Sequence, residues 1–193
     1  MKFPMIAASA LFALAASAPA SAFAAQGQGD EVVSAHVEAG EAEFEARLDR
    51  LGGGPDDGAE VIQLETAYSL NDRLRIALQG EFECEPGMAR TAESVSLQAV
   101  YALGQVGGIA IGVYGEYEFG LTGPDALETK LLLQHRRGPF DLRLNLIAHK
   151  PLMHGAPVEL GYAVAADYEL VRDVRLGVQA FGDLGTFTGF LPD

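Results

Sequence analysis

The sequence predicts an all-β fold, an up-and-down antiparallel β-barrel with about nine strands present and ten or more when complete. Three observations carry this reading. Apolar and polar residues alternate with period two over most of the chain, and successive side chains of a strand point to opposite faces. The alternating runs are each about ten residues long, and turn centres recur about every 33 residues, as in an array of hairpins. No helical period appears after Ala24.

Met1 to Ala24 reads as a secretory signal peptide, with Lys2 as n-region, Met5 to Ala18 as h-region and Ala22-Phe23-Ala24 as an A-x-A cleavage site. The apolar run is too short, and too rich in Ala and Ser, for a spanning helix. No Cys follows it to carry a lipid anchor. Residues 25–39 read as a flexible mature N-terminus leading into a first strand, and residues 40–193 as the barrel.

From Glu41 to Asp49 alternation is strict, with Ala42, Phe44, Ala46 and Leu48 on one face. Gly40 marks a candidate bulge, because polar parity before it is reversed. The Gly- and Asp-rich run 52–58 is a loop. The hairpin from Ile62 to Glu83 comes next. Leu64, Tyr68, Leu74, Ile76 and Leu78 share its apolar face, and Ser69-Leu70-Asn71-Asp72 supplies turn chemistry. The next strand carries Val95, Leu97 and Tyr101 against Ser94, Ser96, Gln98 and Val100. A turn at 104–108 leads to Ile109, Ile111 and Val113 against Tyr114, Glu116 and Glu118. Leu127, Leu131 and Leu133 then oppose Glu128, Lys130, Leu132 and Gln134, and Arg136-Arg137-Gly138-Pro139 turns the chain. Phe140, Leu142, Leu144 and Leu146 oppose Asp141, Arg143, Asn145 and His149. Last come Leu160, Tyr162 and Val164 against Glu159, Ala163 and Asp167, and Val174, Leu176 and Val178 against Arg175 and Gln179.

Composition narrows the partners. The chain has 193 residues and a net charge of −14, from 13 Lys+Arg against 27 Asp+Glu. Such acidity argues against nucleic acid, which needs a basic face. A single cysteine, Cys84, allows no intramolecular disulfide.

Alternation alone does not say which face is wet. A soluble antiparallel barrel turns its apolar face inward; a transmembrane barrel turns it outward to lipid and keeps a polar lumen. Here the loops at 51–58, 84–91, 120–126 and 150–157 are longer than the alternate turns, as for external loops and periplasmic turns. The apolar face carries no charge from the second strand to the ninth except Glu93 near an end. The opposite face mixes both signs, which suits pairing across a narrow interior. These observations predict a transmembrane barrel with membrane lipid as its partner. Its expected lumen-lining charges are Arg73, Arg75, Glu81, Glu83, Glu116, Glu118, Lys130, Arg143, Glu159, Asp167 and Arg175. Trp is absent, and the aromatic girdle is thin, resting on residues such as Tyr68, Tyr101, Phe119, Phe140 and Tyr168.

The hairpin Glu65-x-x-Tyr68-x-Leu70-x-Asp72-Arg73-Leu74, with its partner strand ending Gly80-Glu81-Phe82-Glu83, resembles proteobacterial outer-membrane β-barrel proteins of poorly characterised function. These are transporter- or porin-like and are grouped loosely with those of phenol degradation and copper resistance. The resemblance implies the outer membrane of a Gram-negative bacterium and a small-solute channel, and it carries no catalytic residue.

No serine or phosphate-loop motif occurs, so an enzyme is not expected, and neither is a cofactor. His149, Met153 and His154 read as solvated loop residues rather than a metal site, and Cys84 as a bystander thiol. The interior is expected to be a salt-bridged plug of side chains, with an acidic, cation-favouring pore as the alternative. Two other readings stay open: a secreted or periplasmic soluble barrel binding an apolar ligand, and an outer-membrane lipid-modifying enzyme. Single-chain bacterial barrels have an even number of strands. The odd count therefore predicts either a missing C-terminal strand or residues 26–50 lying outside an eight-stranded ring.

Overall fold

The alternating runs form one antiparallel sheet. A computed structural model describes residues 32–53, 57–172, 174–187 and 189–190; the expected signal peptide lies outside them. The strands are β1 (Ala42–Arg50), β2 (Glu60–Ser69), β3 (Leu74–Cys84), β4 (Thr91–Val106) and β5 (Ile109–Gly120). Then come β6 (Ala126–Arg137), β7 (Phe140–Pro151), β8 (Glu159–Val171), β9 (Val174–Thr186) and the short β10 (Gly189–Phe190). Each pairs with its sequence neighbours in the order β1 to β10. β1 belongs to this sheet, with Ala42 opposite Tyr68 and Arg50 opposite Glu60, so 42–50 do not lie outside it.

The sheet curls into a half-barrel. One cavity is bordered by side chains from every long strand, from Arg47 on β1 to Phe181 on β9. Among the described residues, β1 and β9 do not pair with each other.

Local chemistry sets the hairpins. Gly107 and Gly108, at φ 59° and 84°, supply the two left-handed residues whose twist matches flanking strands. Asn71 Oδ1 accepts the N–H groups of Arg73 (2.8 Å) and Leu74 (3.0 Å), which closes the β2–β3 turn. Gly40 occupies a turn rather than a bulge, its N–H bonded to the Ser69 carbonyl at 2.8 Å. The pairing shifts register elsewhere, at Glu81/Phe82, Ala102/Gly104, Leu160/Gly161 and Glu169/Val171.

The two faces separate as parity demands. Leu78, Leu97, Leu103 and Leu176 are 51%, 54%, 54% and 66% exposed, whereas Glu65, Gln98, Lys130 and Asp141 are buried. Polar residues therefore fill the concave side and large apolar residues cover the convex side.

Of the segment 25–39, expected to be a flexible mature N-terminus, residues 25–31 lie outside the described residues, and residues 32–39 lie across the concave face. Val33, Ala35 and Val37 pack with Val100, Tyr114 and Leu132, and Val32 packs with Ala163 and Ala165. The segment thus crosses from β8 toward β4 before the turn at Gly40 delivers it into β1. Composition suggested a flexible tail because the preceding Gln-Gly-Gln-Gly run is polar; the three valines after it have an apolar seat.

The loop after β5 is tight enough to test. A Cβ on Gly120 would lie 2.5 Å from the Gly123 carbonyl oxygen and 2.6 Å from that of Pro124. Gly120→Ala is expected to destabilise by about 1–3 kcal/mol through this overpacking, read as a lower thermal midpoint. Gly123→Ala, whose Cβ would meet nothing within 4 Å, should leave the midpoint unchanged.

Candidate functional site

Among the described residues, charged, polar and apolar groups converge on the concave face, which divides into two ends. The turns 70–73, 107–108 and 138–139 define one end; the loops 85–90, 121–125 and 152–158 define the other.

At the turn end, acids and guanidinium groups neutralise one another. Asp141, 2% exposed, accepts both Gln134 Nε2 (2.8 and 2.9 Å) and Arg136 Nε (2.9 Å). Arg143 and Arg175 approach the same carboxylate at 4.0 and 3.9 Å. Arg143 also pairs with Asp167, and Arg175 with Glu169 at 3.5 Å. Across the sheet, Arg75 bridges Glu65 (2.6 Å) and Glu43 (3.0 Å). Buried carboxylates are tolerable here because each faces a guanidinium in low dielectric.

At the loop end the balance changes. Glu81, Glu116, Glu118, Glu128 and Glu159 border a cavity of about 300 Å³, together with His149 and Lys130. Lys130 bonds Glu128 at 3.0 Å and lies 4.9 Å from the centre of the Tyr114 ring. Gln63 Nε2 donates to Glu81 at 2.7 Å, the Tyr114 hydroxyl bonds Glu116, and His149 Nδ1 stands 3.4 Å from Glu159. Glu83 and Glu93 join Glu81, Glu118 and His149 around a second recess next to the loops. An acidic mouth thus sits above a paired, nearly neutral base.

Of the expected lumen charges, Arg75, Glu81, Glu116, Glu118, Lys130, Arg143, Glu159, Asp167 and Arg175 take part in these two groups, and Glu83 stands exposed at the rim. Arg73 does not: it falls in the exposed turn 70–73, beyond the reach of strand alternation. Groups missed include Glu43, Glu65, Glu128, Asp141, Gln134 and Asn145. All occupy polar-parity positions, but their contacts depend on which strands lie adjacent. Cys84 Sγ lies 3.5 Å from the Met88 carbonyl, and His154 is exposed.

The segment 32–39 is held chiefly by its backbone. Asn145, 0% exposed, accepts the Val33 N–H through Oδ1 (2.7 Å) and donates through Nδ2 to the Val33 carbonyl (3.0 Å). Gln134 Oε1 accepts the Ala35 N–H (3.0 Å) and the Ser34 hydroxyl (2.8 Å), and Arg143 donates to the Val32 carbonyl at 3.0 Å. Gly112 permits the approach, since a Cβ there would lie 3.5 Å from the Ala35 Cα and 3.3 Å from the Tyr101 carbonyl. Burial of the valines and these hydrogen bonds together contribute on the order of 10 kcal/mol. Ordering the segment costs nearly as much. The difference leaves a net preference for the seat on the order of 2 kcal/mol.

Asp141 is the hub of the turn end. Asp141→Ala strands Arg136, Arg143 and Arg175 without their shared carboxylate and is expected to cost about 3–5 kcal/mol. Chemical denaturation should show a midpoint shifted well below that of the unaltered chain. Glu116→Gln, at the acidic end, should cost far less because it removes one of several like charges.

Comparison of the chain with protein-family models, with curated proteins and with solved structures found no match.

Proposed function

We propose that the protein is an integral outer-membrane β-barrel whose polar concave face forms a lumen for passage of small solutes or a structural core. The observation that supports this best is the outward display of the large apolar side chains. Phe44, Leu78, Leu97, Leu103, Phe140 and Leu176 are all at least half exposed while acids, guanidiniums and amides fill the interior. In water such a surface is costly, because exposed apolar patches on soluble monomers seldom exceed a few hundred Å². In a bilayer it is the favourable arrangement, since lipid replaces a protein core and each strand pairs its backbone with its sequence neighbours, leaving the edges of β1 and β9 to be closed by a further partner.

Strand length is compatible with this. β5 to β9 run 12 or 13 residues, beyond the roughly 9–11 that a tilted strand needs to cross the hydrocarbon. The signal-peptide pattern at Met1 to Ala24 supplies a route to the envelope. A soluble carrier of an apolar ligand would need an apolar interior, and this interior carries Asp141, Glu65 and Lys130. Passage is the more specific half of the proposal, and the acidic mouth would favour cations over anions.

The bilayer reading is tested by placing charge on each face of one strand. Leu97→Arg is expected to lower folding into lipid vesicles by about 2–4 kcal/mol, the cost of a basic residue near the midplane. Ser96→Arg, beside it but facing inward near Glu116 and Glu118, should cost much less. Equal and small effects at both positions would contradict the bilayer reading, as would release of the unaltered protein by osmotic shock.

A further inference from the structure

We propose that residues 32–39 are a displaceable plug: an internal ligand that the concave face grips by its backbone, and whose release opens the interior from the acidic cavity to the turn end. The inference rests on the bilayer reading and adds a moving part to it.

Four observations converge on this segment. Its polar contacts are made mainly by side chains to main-chain atoms, with Asn145 taking both the N–H and the carbonyl of Val33 and Gln134 the N–H of Ala35. The segment is no strand of the ladder, so its departure breaks no strand pairing. The seat fits it: Val100, Tyr114, Leu132, Ala163 and Ala165 supply apolar ground on the concave face where the segment crosses. Gly112 leaves room on β5 for Ala35, which an added Cβ would meet at 3.5 Å. Finally, Val33 borders the acidic cavity, which makes the segment part of the partition between the two ends of the interior.

A brace and a plug would both be seated in the resting protein. They differ in the consequence of release. A brace that leaves collapses the half-barrel, whereas a plug that leaves uncovers a passage and spares the strands.

The test uses the full chain with Asn145→Ala, and independently with Gly112→Val, which crowds Ala35 while favouring strand. Gln134 is left intact because it also holds Asp141. Hydrogen exchange in detergent reads seating without reference to a bilayer. In the unaltered chain the amides of Val33 and Ala35 should exchange at least about tenfold slower than free amides. Either variant should abolish that protection while β5 to β8 stay protected. In planar bilayers with KCl, the variants should raise the open population by about tenfold, the shift expected when two hydrogen bonds or close contact are lost. Fast exchange of Val33 and Ala35 in the unaltered chain would overturn the proposal. So would unchanged current despite lost protection, or loss of strand protection together with that of the segment. Failure of the unaltered protein to enter vesicles at all would instead overturn the bilayer reading, leaving the exchange result to judge the seat.

Discussion

The structure depends on a single parity held across nine consecutive long strands. Because side chains alternate, a slip of one residue in any pairing would send that strand's apolar row inward and its charges outward. Register is defended from both faces. On the convex side Leu78 stands opposite Leu97, and Leu131 opposite Leu146. On the concave side Gln79 stands opposite Ser96, and Lys130 opposite Ile147. The four register shifts fall toward strand ends, where a change of parity disturbs few partners.

This parity explains why the interior can be so heavily charged. Carboxylates and guanidiniums placed on adjacent strands meet at the turn end without long reach, as Arg143 does with Asp167 and Arg75 with Glu65. Toward the loops the same inward positions hold mostly glutamates, offset among the described residues that line the cavity by Lys130, Arg47 and His149. One face of one sheet therefore contains a neutralised half and an acidic half. The segment 32–39 lies against the boundary between them, where the inward row turns apolar.

Much of this was legible in the sequence, and the reasons are physical. Period two is a local property, so strand existence, face assignment and the Asn71 turn could be read from short windows. The nine inward charges among those expected follow from parity alone, while Glu83 shares that parity but stands exposed at the rim. What could not be read is whatever depends on pairs distant along the chain. Asn145 and Val33 are separated by 112 positions, and neither residue alone signals the contact. The apolar residues Val100, Leu132 and Ala163 on the polar face were the available hint. Periodicity reads them as imperfections in alternation; packing shows them to be a seat. Arg73 erred for the opposite reason, since alternation was extended one residue too far into a turn that Asn71 already closes.

In the proposed bilayer reading, contact between hydrocarbon and the convex rows is what the rest stands on. The chain contains no tryptophan, so one introduced at Leu97 and, separately, one at Gln98 would each be a sole reporter of its own face. With the protein in vesicles of bromine-labelled lipid, Leu97→Trp fluorescence is expected to be strongly quenched relative to unlabelled lipid, and Gln98→Trp fluorescence to be nearly unaffected. Quenching at Gln98→Trp but not at Leu97→Trp, or at neither, would contradict the assignment of faces to solvent and lipid on which everything else is built.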